Sequence, residues 1–92
     1  MTRSELVERL AAAYPSLPRP SLERTVKVLF DAMAGQLVRH GRIELRGFGS
    51  FSTKQRCARV GRNPRSGTKV EIASKHVPVF RPSSDLIGRL NP

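Results

Sequence analysis

The sequence predicts an α+β fold: an N-terminal helical hairpin, a three-stranded antiparallel sheet with a long β-ribbon arm, and a short C-terminal helix. Apolar residues recur at intervals of three and four over residues 1–41, as in amphipathic helices. Alternating segments separated by glycine-rich turns occupy residues 42–81, as in hairpin strands. With 92 residues, the chain suits a single domain.

Two helices are predicted within residues 1–41. The first covers about residues 3–13 with Ser4 as its N-cap, and three prolines break it. Ser21 is predicted to cap a longer helix, and Gly41 to end it. His40 then falls in the last turn, where a cation suits the helix dipole.

The first strand is predicted from the strict alternation of Arg42–Arg46, whose Ile43 and Leu45 face the core. Glycines on either side of Phe48 predict a tight turn or bulge, because glycine takes positive φ at little cost. Phe48 and Phe51 are the predicted core anchors beside that turn.

Two further strands form the predicted ribbon. One runs from Ser52 to about Ala58, and the other returns from Val70 to Phe80, interrupted by Pro78, which indicates an unpaired or bulged edge. Ser83 and Ser84 resemble a helix entry, so a last short helix is predicted over about residues 83–90.

Positive charge is concentrated in the middle third of the chain. The formal net charge is +10, and residues 41–75 carry nine Lys and Arg against two acids. Such a field attracts a polyanion, for which double-stranded DNA or another nucleic acid is the leading candidate and an anionic membrane second. A basic face that only confers solubility is the plain alternative. A membrane-binding surface would need apolar residues to insert, preferably Trp or Phe, and the arm has neither of these two.

The candidate phosphate contacts lie along both legs of the ribbon and at its tip. Charges at such intervals can follow a phosphate backbone and gain affinity by releasing counterions. These cations are Lys54, Arg56, Arg59, Arg62, Arg65, Lys69 and Lys75, opposed only by Glu71.

The tip, Arg62–Gly67, has two interpretations. Asn63, Pro64 and the glycine make an ordinary turn sequence. Alternatively, Pro64 is a rigid apolar wedge at the end of a cationic ribbon, able to enter between base pairs and kink a duplex.

An enzyme is not predicted. The sequence has no nucleophile–histidine–acid set, no phosphate-binding glycine loop, and no metal-ligand spacing, so neither a cofactor nor a small-molecule substrate is expected. Cys57 is expected to be a small strand residue with a free thiol, which fits a reducing cytoplasm. The sequence has neither a long apolar run nor a signal peptide, so we expect neither a transmembrane helix nor export.

Two alternatives concern partners. A small RNA-binding protein would carry stacking aromatics on the sheet, whereas the aromatics here are few and are predicted in the core. If residues 59–73 form an arm, roughly 75 residues are left for a core, and bodies of that size usually need disulfides, a metal or association. A dimer is therefore predicted, with a marginal monomer as the alternative.

Three segments in register resemble the HU and integration host factor family. They are Gly47–Phe51, Gly61–Gly67 and Val77–Pro82, and Ser4–Leu6 fits as well. The resemblance covers essentially the whole chain. It implies an intertwined dimer with a second subunit of this family, either a related α chain or a second copy. It also implies arms that embrace the minor groove, intercalation of Pro64, and a nucleoid-associated role in recombination, replication, transcription regulation or nucleoid organisation.

Within the family, Arg42–Arg46 is most similar to the β subunit of integration host factor. The resemblance implies that Arg46 enters the minor groove, that Glu44 orients it, and that Arg42 and Asn63 also bind DNA. Ordinary exposed charges in a cross-strand pair are the alternative. The proline-rich connection before residue 21 departs from the family pattern. Ser83 and Ser84 also stand where relatives often have lysine, so the last helix has only its free N–H groups to offer a phosphate.

Overall fold

The computed structural model describes all 92 residues and has the predicted α+β architecture. The chain divides into two compact units, Met1–Gly35 and Gln36–Pro92. The elements in chain order are α1 (Arg3–Ala13), α2 (Arg19–Val38), β1 (Ile43–Leu45), β2 (Gly49–Arg56), β3 (Arg59–Arg62), β4 (Lys69–Ile72), β5 (Lys75–Pro82) and α3 (Ser84–Leu90).

The predicted bounds of the first helix are confirmed, but both predicted caps were wrong. Thr2, not Ser4, caps α1, with its side-chain oxygen accepting a hydrogen bond from the Glu5 N–H. Helix α2 begins at Arg19, before the expected cap Ser21, and so contains Pro20 in its first turn. Proline is tolerated there because its missing N–H would have no partner within the helix.

Helix α2 ends in a Schellman motif centred on His40. The N–H groups of His40 and Gly41 bond to the carbonyls of Leu37 and Gln36, both at 2.9 Å. His40 has a φ of 60°, so it takes the left-handed position that was predicted for Gly41. His40 therefore lies beyond the helix rather than in its last turn, and only a few non-glycine residues adopt this conformation.

The core of the helical unit is small. Val7, Leu22 and Val26 are buried, with Leu6 and Leu10 packed against them. Several large apolar side chains on α2 are exposed in the single chain, among them Val28, Leu29, Phe30 and Val38. A three-residue core is little for a 92-residue chain.

The main sheet has the strand order β1-β2-β5, and all its pairs are antiparallel. Strand β5 is an edge strand, as its proline requires. Pro78 lies opposite Thr53 in an unbroken register, so of the two predicted possibilities the structure has the unpaired edge and not the bulge.

The predicted ribbon is two successive ladders rather than one. The β2–β5 ladder stops at the pair Arg56 and Lys75, and a separate two-stranded sheet of β3 and β4 follows. Residues 57–58 and 73–74 lie outside both ladders, which places Cys57 between strands and exposed. The sequence thus predicted the arm correctly, but it did not predict that the ladder is interrupted after Arg56.

The turn between β1 and β2 depends on two glycines. Gly47 has a φ of 80°, and a Cβ on Gly49 would lie 2.5 Å from the Arg81 carbonyl oxygen and 2.7 Å from the Phe80 ring. The same turn anchors α3, because the Ser83 N–H bonds to the Phe48 carbonyl at 2.9 Å. Both glycines are therefore needed to bring β1, β2 and β5 together here.

The aromatic anchors differ from expectation. Phe51 is half-buried, with its ring centroid 4.7 Å from that of Phe80. Phe48 was predicted to be a core residue, yet it is 46% exposed, with its centroid 5.5 Å from Phe80. Leu45 was expected to face the core and is 37% exposed. One chain alone does not bury these side chains.

Candidate nucleic-acid interface

The strand register sorts the main sheet into two chemically different faces. Side chains alternate along each strand, and directly paired residues share a face. Phe51 and Phe80 are paired, which defines an apolar face. The opposite face carries Glu44, Lys54, Arg56, Lys75 and Arg81, placed there by the pairs Glu44–Ser50, Ser50–Arg81, Lys54–Val77 and Arg56–Lys75. We call this the basic face.

Arg42 and Arg46 flank β1 at the end of the basic face. A shallow groove of 330 Å³ there is lined by Arg42, Glu44, Arg46, Ser50 and Arg81, among others. The Gln36 Nε2 donates a hydrogen bond to the Arg42 carbonyl at 3.2 Å and so fixes the start of the strand. The structure therefore brings Glu44 and Arg46, which were predicted to read the minor groove, together with Arg42, which was predicted to bind DNA.

Glu44 has no ion pair with either arginine, since both ion pairs in the structure involve Arg19. The orienting role that the resemblance implied for Glu44 remains a prediction. Arg81 was missing from the predicted set. The alternation Val77, Val79, Arg81 along the return strand was the signal that could have placed it on this face.

The arm presents its cations on both of its faces. Arg62 and Lys69 are directly paired, and Val60 is opposite Glu71 on the same side. Arg59 is on the other side with Val70 and Ile72. The Ile72 side chain covers Gly61, where a Cβ would lie 3.0 Å from the Ile72 Cδ1. The Ile72 side chain thus packs over the backbone of the opposite strand, whereas Val60 is 65% exposed.

The tip is a closed turn with Pro64 on its outside. The Asn63 N–H bonds to the Thr68 carbonyl at 2.8 Å, and the Gly67 N–H to the Asn63 carbonyl at 2.7 Å. The Asn63 Oδ1 accepts a hydrogen bond from the Arg65 N–H at 2.9 Å, which is an Asx turn. Pro64 and Arg65 are exposed at the end of the ribbon. Asn63, predicted to bind DNA, has its carbonyl oxygen engaged within the turn.

The charges of this surface are unpaired. Arg19, in the helical unit, bonds to Glu8 at 2.7 Å and Glu23 at 3.3 Å. The hydrogen bond to Glu8, followed by that to Glu23, raises the pKa of Arg19 above its ordinary value. No cation of the basic face or arm has such a partner. All twelve predicted site residues are exposed: Arg42, Glu44, Arg46, Lys54, Arg56, Arg59, Arg62, Asn63, Pro64, Arg65, Lys69 and Lys75.

The structure has neither a metal-ligand cluster nor a membrane-spanning helix. No three His, Cys, Asp or Glu side chains are grouped so that they could hold a metal ion. None of the three helices combines the length and the apolar composition that crossing a bilayer requires.

A helical unit followed by a sheet with one basic face and a cationic ribbon defines a class of small proteins built to grip a polyanion. The family model described as "Bacterial DNA-binding protein" matches residues 1–91. The chain belongs to this family of bacterial DNA-binding proteins.

Relatives of known name support the assignment. The chain is 50% identical over 91 residues to the integration host factor subunit beta of Edwardsiella ictaluri (strain 93-146) and to that of Yersinia enterocolitica. Each match covers 99% of this chain and 97% of the relative. The resemblance to the β subunit of integration host factor is thereby confirmed at the level of sequence similarity.

Solved structures confirm the fold. An Anabaena HU–DNA cocrystal structure matches with a TM-score of 0.87 and 28% identity, over 100% of this chain and 99% of that one. A mutant of HU from Thermotoga maritima matches with a TM-score of 0.69 and 20% identity, over 98% and 99% of the two chains.

Proposed function

We propose that this chain is one subunit of a dimeric architectural protein that binds double-stranded DNA through the minor groove and bends it sharply. The observation that carries the proposal is the set of exposed, unpaired cations on the basic face and along the arm that ends at Pro64. The 28% identical HU was crystallised with DNA, and its fold is the fold of this chain.

Affinity is supplied by the cations. Each Lys or Arg that neutralises a phosphate releases condensed counterions, and this gain does not depend on base sequence. The paired Arg62 and Lys69 share one side of the arm, so they can contact phosphates of neighbouring nucleotides. Lys54, Arg56 and Lys75 extend the same chemistry over the basic face.

Bending is supplied by the tip. Kinking by an inserted apolar wedge is the known behaviour of HU and integration host factor proteins, and comes to this chain through its family. Pro64 suits the role because it is exposed and its ring fixes φ. The Asn63–Arg65 hydrogen bond and the closed turn reduce the conformational freedom that would be lost on insertion.

We assign the preference for particular DNA sequences to the groove at the end of the basic face. Arginine is attracted to the strong negative potential of a narrow minor groove. Arg42, Arg46 and Arg81 line one groove with Glu44 between them, so in the complex Glu44 can orient an arginine without neutralising the site.

Dimerisation follows from the apolar surface that one chain leaves uncovered. Leu29 is 53% exposed and Val38 is 77% exposed, and only three apolar residues are buried. Association would bury this surface at a gain of about 25 cal/mol per Å². The second subunit is a related α chain or a second copy. We place the dimer in the cytoplasm, associated with the nucleoid, where it would serve recombination, replication, transcription regulation or nucleoid organisation without a cofactor.

Energy transfer between dyes at the two ends of a short duplex tests the proposal. We expect binding to shorten the end-to-end distance. Pro64→Ala should abolish most of the shortening while part of the affinity persists, because the phosphate contacts remain. Pro15→Ala, in the connection between α1 and α2, is the matched control and should bend the duplex as the unchanged protein does.

Two outcomes would contradict the proposal. A duplex that is stably bound but straight would exclude the wedge. Tighter binding to single-stranded RNA than to duplex DNA would favour the RNA-binding alternative.

A further inference from the structure

A recess lies where the two ladders of the ribbon meet. It has a volume of 330 Å³ and is lined by the end of the β2–β5 ladder, by the start of the β3–β4 ladder and by residues between them. The lining residues are Arg56, Cys57, Arg59, Ile72, Ala73, Lys75 and Val77. The recess therefore spans the interruption of the ribbon.

The recess holds three cations and no acid. Arg56 and Lys75 close the β2–β5 ladder, and Arg59 begins the β3–β4 ladder. Neither ion pair of the chain involves any of them. Glu71 is opposite Val60, which puts this acid on the other side of the arm from Arg59. The recess thus concentrates positive charge that the protein itself does not balance.

The strand register sets two of these cations directly against each other. Arg56 and Lys75 are cross-strand partners in the last pair of the β2–β5 ladder, and like charges in such a pair destabilise a ladder. Beyond this pair, no backbone hydrogen bond joins residues 57–58 to residues 73–74. The first ladder therefore stops at a repulsive pair, with Arg59 on the far side of the gap.

We propose that this recess binds a phosphate group, and that the bound phosphate joins the two ladders into one ribbon. An anion among the three cations offsets their repulsion and accepts charge-assisted hydrogen bonds from both ladders. Arg56 and Arg59 suit this ligand because the planar guanidinium fork matches the geometry of phosphate oxygens. The half-buried Ile72 and Val77 form apolar parts of the wall, where charges interact more strongly than in bulk water.

Two sources can supply the phosphate group. A phosphodiester of DNA enters the recess if the proposed function holds, and in that case the inference rests on that function. The joined ribbon is then the DNA-bound form of the arm. A free polyphosphate enters the recess in solution and joins the ladders without DNA. The chemistry of the site is the same for both sources, and the experiment separates them.

Cys57 reports whether the recess is occupied, because it lines the recess and is the only cysteine of the chain. The probe is inorganic pyrophosphate, added to the full-length protein at an ionic strength held constant with chloride. The rate at which iodoacetamide, an uncharged reagent, alkylates Cys57 is measured at each concentration. We expect the rate to fall to a plateau, as it does when a single site fills.

Three variants show whether the recess is the site. Lys75→Gln and Arg59→Gln should each need about tenfold more pyrophosphate for half of the effect, because each loses one hydrogen bond between charged groups. Arg24→Gln, which changes an exposed arginine of the helical unit, is the matched control and should behave as the unchanged protein does.

Amide hydrogen exchange shows whether the bound anion joins the ladders. It is measured by NMR without pyrophosphate and at saturation. We expect protection to rise about two- to fivefold within residues 56–59 and 72–75, the range that a cross-strand charge pair can supply. The amides of β1, which the recess does not include, are the reference and should keep their protection.

Binding to a labelled duplex separates the two sources. If a DNA phosphate fills the recess, Lys75→Gln makes the slope of log affinity against log salt shallower by about one unit. If Lys75→Gln weakens pyrophosphate binding but keeps the salt slope, the recess takes a free polyphosphate and not the DNA backbone.

The proposal is overturned by any of three results: alkylation that does not saturate with pyrophosphate, saturation of Lys75→Gln and Arg59→Gln at the same concentration as the unchanged protein, or unchanged exchange at saturation. A protein that binds pyrophosphate in the recess but leaves a duplex straight would reject the proposed function and keep the phosphate site. A protein that bends a duplex but shows no effect of pyrophosphate would reject the site and keep the proposed function.

Discussion

Arg81 lies directly opposite Ser50 in the β2–β5 ladder, and both line the groove that also holds Glu44. Through this pairing, the positively charged Arg81 of β5 lines the same groove as the residues that flank β1. A residue near the end of the last strand thus belongs to the same surface as Arg42 and Arg46, although at least 35 positions separate it from them in the chain.

The first prediction concerns Arg81. Arg81→Gln removes one unpaired cation from the basic face, so the slope of log affinity against log salt should become shallower by about one unit. Titrations of a labelled duplex at several salt concentrations measure the slope. Arg24→Gln, which changes an exposed arginine in the helical unit, is the control and should leave the slope unchanged. An unaltered slope for Arg81→Gln would show that this residue does not touch phosphate.

The second prediction concerns the pair in the arm. Arg62→Ala and Lys69→Ala should each reduce the salt slope by about one unit, and the double variant by about two, because each side chain neutralises its own phosphate. The two residues share one side of the arm, whereas Arg59 is on the other. If Arg59→Ala reduces the salt slope less than these two variants do, the side of the arm that carries Arg62 and Lys69 faces the DNA. If neither single variant alters the slope, the arm does not follow the backbone as proposed.

Local signals in the sequence predicted the elements well. Strict alternation located β1, two glycines located its turn, and the position of Pro78 on an edge strand followed from its missing N–H. The helix caps were less predictable. Thr2 and Ser4 are both good caps, and Pro20 serves a first helical turn as readily as it breaks a helix.

Features that depend on pairing could not be predicted. The interruption of the ribbon at Cys57 depends on which strands meet, and the sequence carries no turn residue there. Phe48 is 46% exposed, and its residue type and its position beside the turn do not distinguish an exposed aromatic from a core anchor. The rings of His40 and His76 stack on each other, although these residues are 36 positions apart without any periodic pattern.

The third prediction compares two glycines by their surroundings. Gly49→Ala should lower the free energy of unfolding by about 1–3 kcal/mol, the usual cost of overpacking, because its Cβ meets the Arg81 carbonyl and the Phe80 ring. Gly88→Ala should raise it by up to about 1 kcal/mol, because the new methyl group meets nothing within 4 Å and alanine favours the helix. Urea denaturation measures both. Equal changes in the free energy of unfolding would mean that Gly49 does not lie against the Arg81 carbonyl and the Phe80 ring in solution.

The fourth prediction tests association. Leu29→Lys places a charge on the apolar surface of α2, where the leucine is 53% exposed in one chain. Burying a leucine contributes about 1.5–3 kcal/mol, and a lysine at an apolar interface adds a desolvation cost. We therefore expect the dimer to dissociate at micromolar concentrations in sedimentation equilibrium, with a large loss of duplex affinity.

Val60→Lys is the matched control for association. Val60 is similarly exposed, at 65%, but lies on the arm. The same substitution there should leave the mass of the particle unchanged. A Leu29→Lys protein that remained dimeric would place the subunit contact elsewhere. Dissociation of both variants would indicate a general loss of stability rather than loss of one interface. Only dissociation confined to Leu29→Lys assigns the uncovered face of α2 to the second subunit.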